Sequence, residues 1–166
     1  MSALARATRP AGGYPRHQCR LRSHNRLGWP GDIDGVDSHL LASLLEQGLT
    51  PVFSAIMHDG EGSLLNCNAD SVATAVALGA AVVAPTDLIF CFEKRGVLRD
   101  ADDESSVIER ITAANYTALK AEGAVKGGMI PKIENALKAV VQGVRSVRIK
   151  HADDLLSEAG TTIENQ

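Results

Sequence analysis

Three short polar side chains alternate in the segment 66–70, which reads Asn-Cys-Asn-Ala-Asp. A run of small apolar residues follows and predicts a helix, so Asn66, Asn68 and Asp70 stand at a turn that leads into a helix. Asn and Asp are common turn and capping residues, and in one interpretation Asp70 caps the helix. In the other, the three polar groups converge on a ligand at the amino terminus of the helix.

A second candidate lies at 127–132, Gly-Gly-Met-Ile-Pro-Lys, where two glycines and an early proline introduce a helix. Unpaired backbone N–H groups at such a start favour an anion, and Lys132 falls in the first turn, off the apolar stripe. A phosphate site with a charge-neutralising lysine has this composition. A solvated lysine after a flexible joint has it too, so both interpretations stay open.

Charged residues also follow the strand predicted over 88–92, in the run Glu93-Lys94-Arg95-Gly96. Ligands bind beyond the carboxyl ends of strands in open parallel sheets, although a charged connecting loop with a turn at Gly96 has the same pattern.

The first residues of the acidic stretch 100–111 match the start of a calcium-binding loop. Ser105 stands where such a loop needs glycine, and Ile111 stands where it needs glutamate. The stretch is therefore interpreted as a solvated loop, and no metal site is predicted.

Helices and strands alternate along the chain from residue 37 onward. Apolar periodicity and end signals predict helices over 37–47, 70–79, 112–122, 130–142 and 152–158. Apolar runs predict buried strands at 51–56 and 88–92, a return strand at 63–65 and a strand at 146–149. The expected end signals are Thr112 as an N-cap and Gly48, Gly123 and Gly143 as stops; the first helix should place Leu40, Leu41, Leu44 and Leu45 on one face. The alternation predicts an α/β fold, a three-layer α/β/α sandwich with a mainly parallel sheet.

Composition narrows the possible partners and compartments. The chain has 166 residues, 45% of them hydrophobic, which is enough for one domain with a sizeable core. A net charge of −3 and 4% aromatic residues argue against a nucleic-acid partner, and no apolar stretch is long enough to span a membrane. Three cysteines without a C-x-x-C pair argue against a disulfide framework or a zinc site and favour a reducing cytoplasm.

The first thirty residues differ from the rest. Residues 1–31 contain six arginines and no Asp or Glu, which places a boundary near 28–32, with an irregular basic segment over 1–30 and the folded part over 31–166. Three interpretations remain: an organellar transit peptide, a disordered basic tail, or translation of a shifted or truncated reading frame. The prolines and glycines break an amphipathic helix and count against the first, and the composition favours the last.

Taken together and in order, several stretches resemble acetylglutamate kinases of the amino-acid kinase family. They are GSLLNCNAD (62–70), FCFEKRGVLRD (90–100), GGMIPKIENALKAV (127–140) and GTTI (160–163). The segment 31–54 is similar to the family's stretch just before the sheet crossover. The resemblance covers residues 28–163, and its specific parts are the NxNAD and GGMIPK motifs with their spacing.

The resemblance implies roles for individual residues. The asparagines at 66 and 68 match those that hold the acyl-amino-acid substrate, and Asp70 matches an aspartate that organises the catalytic lysines. Lys132 matches the second catalytic lysine, which stabilises the transferring phosphoryl group.

The resemblance also implies a nucleotide side of the site. Gly127 and Gly128 would shape the ATP site, together with the loop residues Glu93, Lys94 and Gly96. The family usually has a Thr-Asp-Val type of sequence after the strand 88–92, where this chain has Phe92-Glu93-Lys94. That departure leaves open whether the acyl group is acetyl or another, such as succinyl.

The implied activity is ATP-dependent phosphorylation of the side-chain carboxylate of N-acetyl-L-glutamate, or of another N-acylglutamate, in arginine biosynthesis. The nucleotide would carry Mg²⁺, and the complete family member would be a cytoplasmic homo-oligomer. Two alternatives remain: a non-catalytic nucleotide-binding fragment, or a relative that acts on carbamate, aspartate or UMP, against which the NCNAD segment argues. The family's fold begins with a strand that carries a first catalytic lysine, whereas this chain has no lysine before Lys94. The amino-terminal lobe is therefore expected to be missing, and the chain alone is expected to have little kinase activity.

Overall fold

The computed structural model describes residues 21–22, 32–33, 35–58, 64–100 and 102–165. The predicted boundary near 28–32 and most of the basic segment 1–30 lie outside the described residues. The chain divides into two compact units, residues 1–84 and 85–166, and each is described by itself.

In its described residues, unit 1 contains two helices and two small antiparallel sheets. β1 (Leu21–Arg22) pairs with β2 (Asp32–Ile33), and β3 (Ile56–His58) pairs with β4 (Leu64–Asn66). The helices are α1 (Ser38–Glu46) and α2 (Ala69–Ala81), which confirm the helices predicted over 37–47 and 70–79. The Asp37 side chain caps α1 by accepting a hydrogen bond from the backbone N–H of Leu40 at 2.9 Å, and Gly48 follows the helix with φ of 73°.

The predicted buried strand over 51–56 is wrong. Residues 51–54 form no strand, and Phe53 and Ile56 are 43% and 59% exposed. The hydroxyl of Ser54 accepts a hydrogen bond from the Ile56 N–H and donates to the Ile56 carbonyl, both at 3.2 Å, so a local turn leads into β3, which starts only at Ile56. The apolar face predicted for α1 is also mostly outside the core, because only Leu41 is buried while Leu40 is 54% exposed.

Unit 2 is built on one four-stranded sheet with the order β5-β7-β8-β6. The strands are β5 (Asp87–Phe92), β6 (Arg110–Thr112), β7 (Ser146–His151) and β8 (Thr161–Glu164). β5 runs parallel to β7 and β6 parallel to β8, while β7 and β8 are antiparallel. The sheet is therefore mixed and mostly parallel, which confirms the predicted class of fold.

Two helices follow β6 and begin and end where the sequence signals placed them. Thr112 caps α3 (Ala113–Ala121), and its side chain forms a capping box with Asn115. α4 (Met129–Val141) is followed by Gly143. Gly123 and Gly143 both have positive φ, 72° and 122°, as residues that end helices often do.

The centre of the sheet contains a buried lysine. Val147 and Ile149 of β7 are fully buried, and Lys150 is only 1% exposed. Its ammonium donates to the backbone carbonyls of Asp154 at 3.1 Å and Ser157 at 2.5 Å. The helix predicted over 152–158 is wrong: only a 3₁₀ turn forms there, at Ala152–Asp154, and the Lys150 ammonium binds the carbonyls of the segment that follows β7.

The starts of β5 and β7 are joined by side chains. The Asp87 carboxylate accepts hydrogen bonds from Arg145 Nε and Ser146 Oγ, both at 2.8 Å. The hydrogen bond from the Arg145 guanidinium holds the pKa of Asp87 below its ordinary value. β5 itself is less buried than predicted: only Leu88 is buried and Ile89 is 40% exposed, because β5 lies at the edge of the described sheet.

Gly160 offers a direct test of the packing around Lys150. Its φ is 116°, and an added Cβ would lie 2.6 Å from the Ile149 carbonyl oxygen and 2.8 Å from the Lys150 Cβ. Gly143 has a similar φ of 122° but open space around the corresponding position. We expect Gly160→Ala to destabilise the protein by about 1–3 kcal/mol more than Gly143→Ala, because only the former adds overpacking to backbone strain. Urea unfolding of the two variants measures the difference, and equal losses would contradict the close approach of Gly160 to β7.

Candidate functional site

The topology of unit 2 brings the carboxyl end of β5 to the amino end of α4. α4 leads into β7, and β7 is parallel to β5, so α4 must run antiparallel to both strands. Its first turn therefore lies at the edge where β5 ends. There the Lys132 ammonium sits over the ring of Phe92, 3.7 Å from the ring centroid.

The start of α4 differs from the predicted anion site in one respect. The N–H groups of Met129 and Ile130 donate to the carbonyls of Lys126 and Gly127, both at 3.2 Å, and Pro131 has no N–H. The expectation of unpaired backbone donors is wrong for these residues, because a turn that precedes the helix engages them. These two N–H groups therefore do not contribute to an anion site.

Gly127 and Gly128, which join the preceding turn to α4, are glycines for different structural reasons. Gly127 has φ of 53°, a conformation that favours glycine. Gly128 has an ordinary φ of −65°, and nothing lies within 4 Å of the place where its Cβ would be. Gly128 is the N-cap residue of α4, a position where glycine is among the favoured residue types.

A cleft of about 560 Å³ adjoins this joint. Its wall combines three cations, two carboxylates, two glycines and several apolar residues: Lys94, Gly96, Val97, Leu98, Arg99, Asp100, Asp102, Gly123, Ala124, Lys126 and Met129. Of the predicted nucleotide residues, Lys94 and Gly96 line the cleft, whereas Glu93 is exposed and lies outside its lining. Lys126 and Met129 place the cleft next to Gly127 and Gly128.

Close packing accounts for the glycine at position 96. A Cβ there would lie 2.8 Å from the Thr161 hydroxyl and 3.0 Å from Val107 Cγ1. The Thr161 hydroxyl accepts a hydrogen bond from the Val97 N–H at 2.8 Å. Glycine at 96 thus lets the loop after β5 lie against β8, which fixes the wall of the cleft.

Contacts with α3 fix the position of α4. Glu134 Oε1 accepts hydrogen bonds from the Tyr116 hydroxyl at 3.1 Å and from Lys120 Nζ at 2.9 Å. Burial raises the pKa of Tyr116, and the Lys120 ammonium lowers the pKa of Glu134. Since Glu134 is two residues after Lys132, this contact holds the turn that carries the candidate catalytic lysine.

The predicted substrate residues lie in unit 1, at the junction of β4 and α2. Asn66 ends β4 and is exposed, Cys67 is buried with Val72, and Asn68 is exposed again. The extended chain therefore turns both asparagines to the side opposite the buried Cys67. Asp70 follows in the first turn of α2.

The cap of α2 is Asn68 rather than Asp70. The Asn68 side-chain oxygen accepts a hydrogen bond from the Ser71 N–H at 3.1 Å, so the interpretation of Asp70 as the cap is wrong. An amide also has two N–H donors, which suit a carboxylate or carbonyl of a ligand.

Two features of the site were missed in the sequence. The first is the contact of Phe92 with Lys132, and the second is the contribution of Lys126 and Arg99 to the cleft. The contact of Phe92 with Lys132 could have been found from the alternation of strands and helices. If β5 and β7 are parallel neighbours joined through α4, the end of β5 must lie beside the start of α4.

In the described residues, no group of three His, Cys, Asp or Glu side chains has the arrangement of a metal site, and no helix is long and apolar enough to cross a membrane.

Curated relatives are acetylglutamate kinases. The chain is 43% identical over 137 residues to the enzyme of Bacteroides fragilis, which covers 82% of this chain and 52% of that protein. It is 35% identical over 132 residues to the enzyme of Thermosynechococcus vestitus, covering 80% of this chain and 44% of that protein. The chain thus spans about half the length of the curated relatives it matches.

Solved structures with the same fold include smu.665 of Streptococcus mutans, with a TM-score of 0.70 and 32% identity over 91% of this chain and 58% of that one. N-acetylglutamate synthase of Neisseria gonorrhoeae has a TM-score of 0.74 at 19% identity, covering 96% of this chain and 41% of that one, and supports the fold alone. The sequence model of the Amino acid kinase family matches residues 1–151. The chain therefore belongs to the amino acid kinase family.

Proposed function

We propose that this chain supplies the nucleotide-binding part, and half of the substrate-binding and catalytic residues, of an enzyme that phosphorylates the side-chain carboxylate of an N-acylglutamate with ATP. N-acetyl-L-glutamate is the first candidate substrate, because the curated relatives are acetylglutamate kinases. The product, an acyl phosphate, suits the arginine biosynthesis that the resemblance implies. Within the described residues Cys67 and Cys91 form no disulfide, which is compatible with a cytoplasmic enzyme.

The observation that carries the proposal is the position of Lys132. Its ammonium stands at the carboxyl end of β5, the edge at which open α/β sheets bind ligands, and beside the joint at Gly127 and Gly128. The adjoining cleft adds Lys94, Arg99 and Lys126, beside the carboxylates of Asp100 and Asp102. A polyphosphate needs cations near it, since its terminal phosphates carry negative charge that must be neutralised.

Apart from binding ATP, the protein needs to contribute few catalytic groups to the phosphoryl transfer. Phosphoryl transfer depends on positioning and on neutralising charge on the transferred group, so a lysine at the phosphates supplies the main catalytic effect. The acceptor is a carboxylate, which is already a nucleophile at neutral pH and needs no general base. Asp70 then acts as an organiser of the lysines, and the nucleotide carries its own Mg²⁺.

On the substrate side, Asn66 and Asn68 are proposed to bind the acylated amino acid. Both are exposed on one side of the β4–α2 junction, and their amide groups offer donors and acceptors suited to the α-carboxylate and the acyl amide. The Phe92-Glu93-Lys94 sequence leaves the acyl group itself as acetyl or a larger one such as succinyl. A homo-oligomeric complete enzyme is part of the same proposal.

The first test concerns Lys132. In a fusion with the amino-terminal half of the Bacteroides fragilis relative, we expect Lys132→Ala to lower kcat by about 10²-fold or more, because it removes a cation from the developing phosphoryl charge. Lys138→Ala, an exposed lysine in the last turn of the same helix, is the matched control and should leave kcat unchanged. Equal activity of the Lys132→Ala variant and the parent fusion would remove Lys132 from the mechanism.

The second test separates substrate binding from catalysis in the same fusion. Asn68→Ala should mainly raise KM for the acylglutamate, and Asp70→Asn should mainly lower kcat. Asn68→Ala also removes the cap of α2, so thermal melting is measured in parallel to subtract the stability loss of about 1 kcal/mol. If Asp70→Asn changes only the melting temperature, its role is structural and the assignment fails.

The third test uses the 166-residue chain by itself. It should bind MgATP in calorimetry, because the cleft and Lys132 are present, and should release little ADP when acylglutamate is added. The reason is that no lysine precedes Lys94, so one of the two lysines that the resemblance implies for charge neutralisation is absent. Binding without turnover in the fusion as well would favour the non-catalytic alternative, and robust turnover by the chain alone would contradict the prediction.

A further inference from the structure

An aromatic ring lies directly beneath the Lys132 ammonium. Phe92 is the last residue of β5 and pairs with His151 of β7 in the sheet register. A separation of 3.7 Å between the Lys132 Nζ and the ring centroid is well within the range of about 6 Å for a cation–π contact.

The ring is itself supported from the same strand. Phe90 lies two residues earlier, on the same side of β5, with its ring centroid 6.3 Å from that of Phe92 and the two planes tilted by 36°. Tilted aromatic pairs at this distance attract one another. Phe90 therefore limits the movement of the Phe92 ring, and the ammonium rests on a fixed surface.

The contact between the ring and the ammonium is electrostatic and does not use a hydrogen bond. A ring attracts the ammonium through its face but accepts no strong hydrogen bond from it. The contact with Phe92 thus positions the lysine in a way that is compatible with a phosphate at the same ammonium.

We propose that Phe92 is a positioning residue, whose ring holds the Lys132 ammonium at the carboxyl end of β5 for the terminal phosphates of ATP. The proposal rests on the proposed function, because it presumes that a nucleotide binds at this edge. It also gives a physical meaning to the segment Phe92-Glu93-Lys94, where the sequence departs from the Thr-Asp-Val pattern that the resemblance leads one to expect.

Calorimetry on the 166-residue chain tests the proposal with MgATP and AMP as probes. Phe92→Leu should weaken MgATP binding by about 2- to 5-fold, the range of an exposed cation–π contact, and Phe92→Trp should restore it. AMP binding should stay unchanged, since AMP lacks the β- and γ-phosphates. In a Lys132→Ala background, Phe92→Leu should have no further effect on MgATP affinity, because the ring then has no ammonium to hold.

Phe90→Leu is the comparison variant and should cost less MgATP affinity than Phe92→Leu, because it removes only the support of the Phe92 ring and not the ring that contacts Lys132. A loss of MgATP affinity that is equal in Phe90→Leu and Phe92→Leu, or that persists in the Lys132→Ala background, would show general loosening of β5 and overturn the proposal. Unchanged affinity in Phe92→Leu would overturn it as well.

A second measurement keeps this proposal separate from the proposed function. The ring current of Phe92 should shift the NMR signals of the Lys132 ε-methylene upfield, and Phe92→Leu should abolish that shift whether or not nucleotide binds. If the parent chain binds no MgATP but the shift is present, the proposed function fails and the contact of the ring with the ammonium stands. Absence of the shift in the parent chain would refute that contact directly.

Discussion

The parallel pairing of β5 with β7 is the constraint on which unit 2 depends. Six consecutive residue pairs align the two strands, from Asp87 with Ser146 to Phe92 with His151. A chain that leaves one strand and returns to a parallel neighbour must cross the sheet, and α4 makes the final part of that crossing. The carboxyl end of β5 and the amino end of α4 are consequently at one edge, and this brings Phe92 and Lys132 together.

Side-chain contacts at both ends of β7 maintain this arrangement. The Asp87 contacts with Arg145 and Ser146 join the two strands where they begin. At the other end of β7, Lys150 binds the carbonyls of the turn before β8, and Gly160 allows the backbone to pass close to it. The two lysines therefore differ in their surroundings: Lys150 is enclosed by carbonyls and is structural, whereas Lys132 lies over the Phe92 ring at the carboxyl end of β5.

The sequence predicted the elements whose ends are marked by local chemistry. Thr112 with Asn115, Gly123 and Gly143 define helix ends through contacts a few residues apart, so α3 and α4 were predictable within about two residues. The failures arose where distant or competing contacts decide the structure. Lys150 binds two carbonyls of the segment 152–158, where the sequence predicted a helix, and Ser54 closes a turn inside an apolar run that resembles a strand.

In the candidate site, too, the features set by local sequence were predictable, and those set by distant contacts were not. The alternation of Asn66, Cys67 and Asn68 around a buried cysteine follows directly from an extended backbone, and the place of Lys132 follows from helix periodicity. The choice of Asn68 over Asp70 as the cap depends on where α2 begins, which local sequence fixes only to within a residue or two. The meeting of Lys132 with Phe92 joins residues forty positions apart and required the strand order.

The central claim is that Lys132 faces the phosphates of a nucleotide bound at the end of β5. A crystal structure of the chain with a non-hydrolysable ATP analogue tests it most directly. The account predicts a β- or γ-phosphate oxygen within about 3 Å of Lys132 Nζ, with the rest of the nucleotide in the cleft beside Lys94 and Lys126. A triphosphate bound at another edge of the sheet, with Lys132 making no contact to it, would contradict the account.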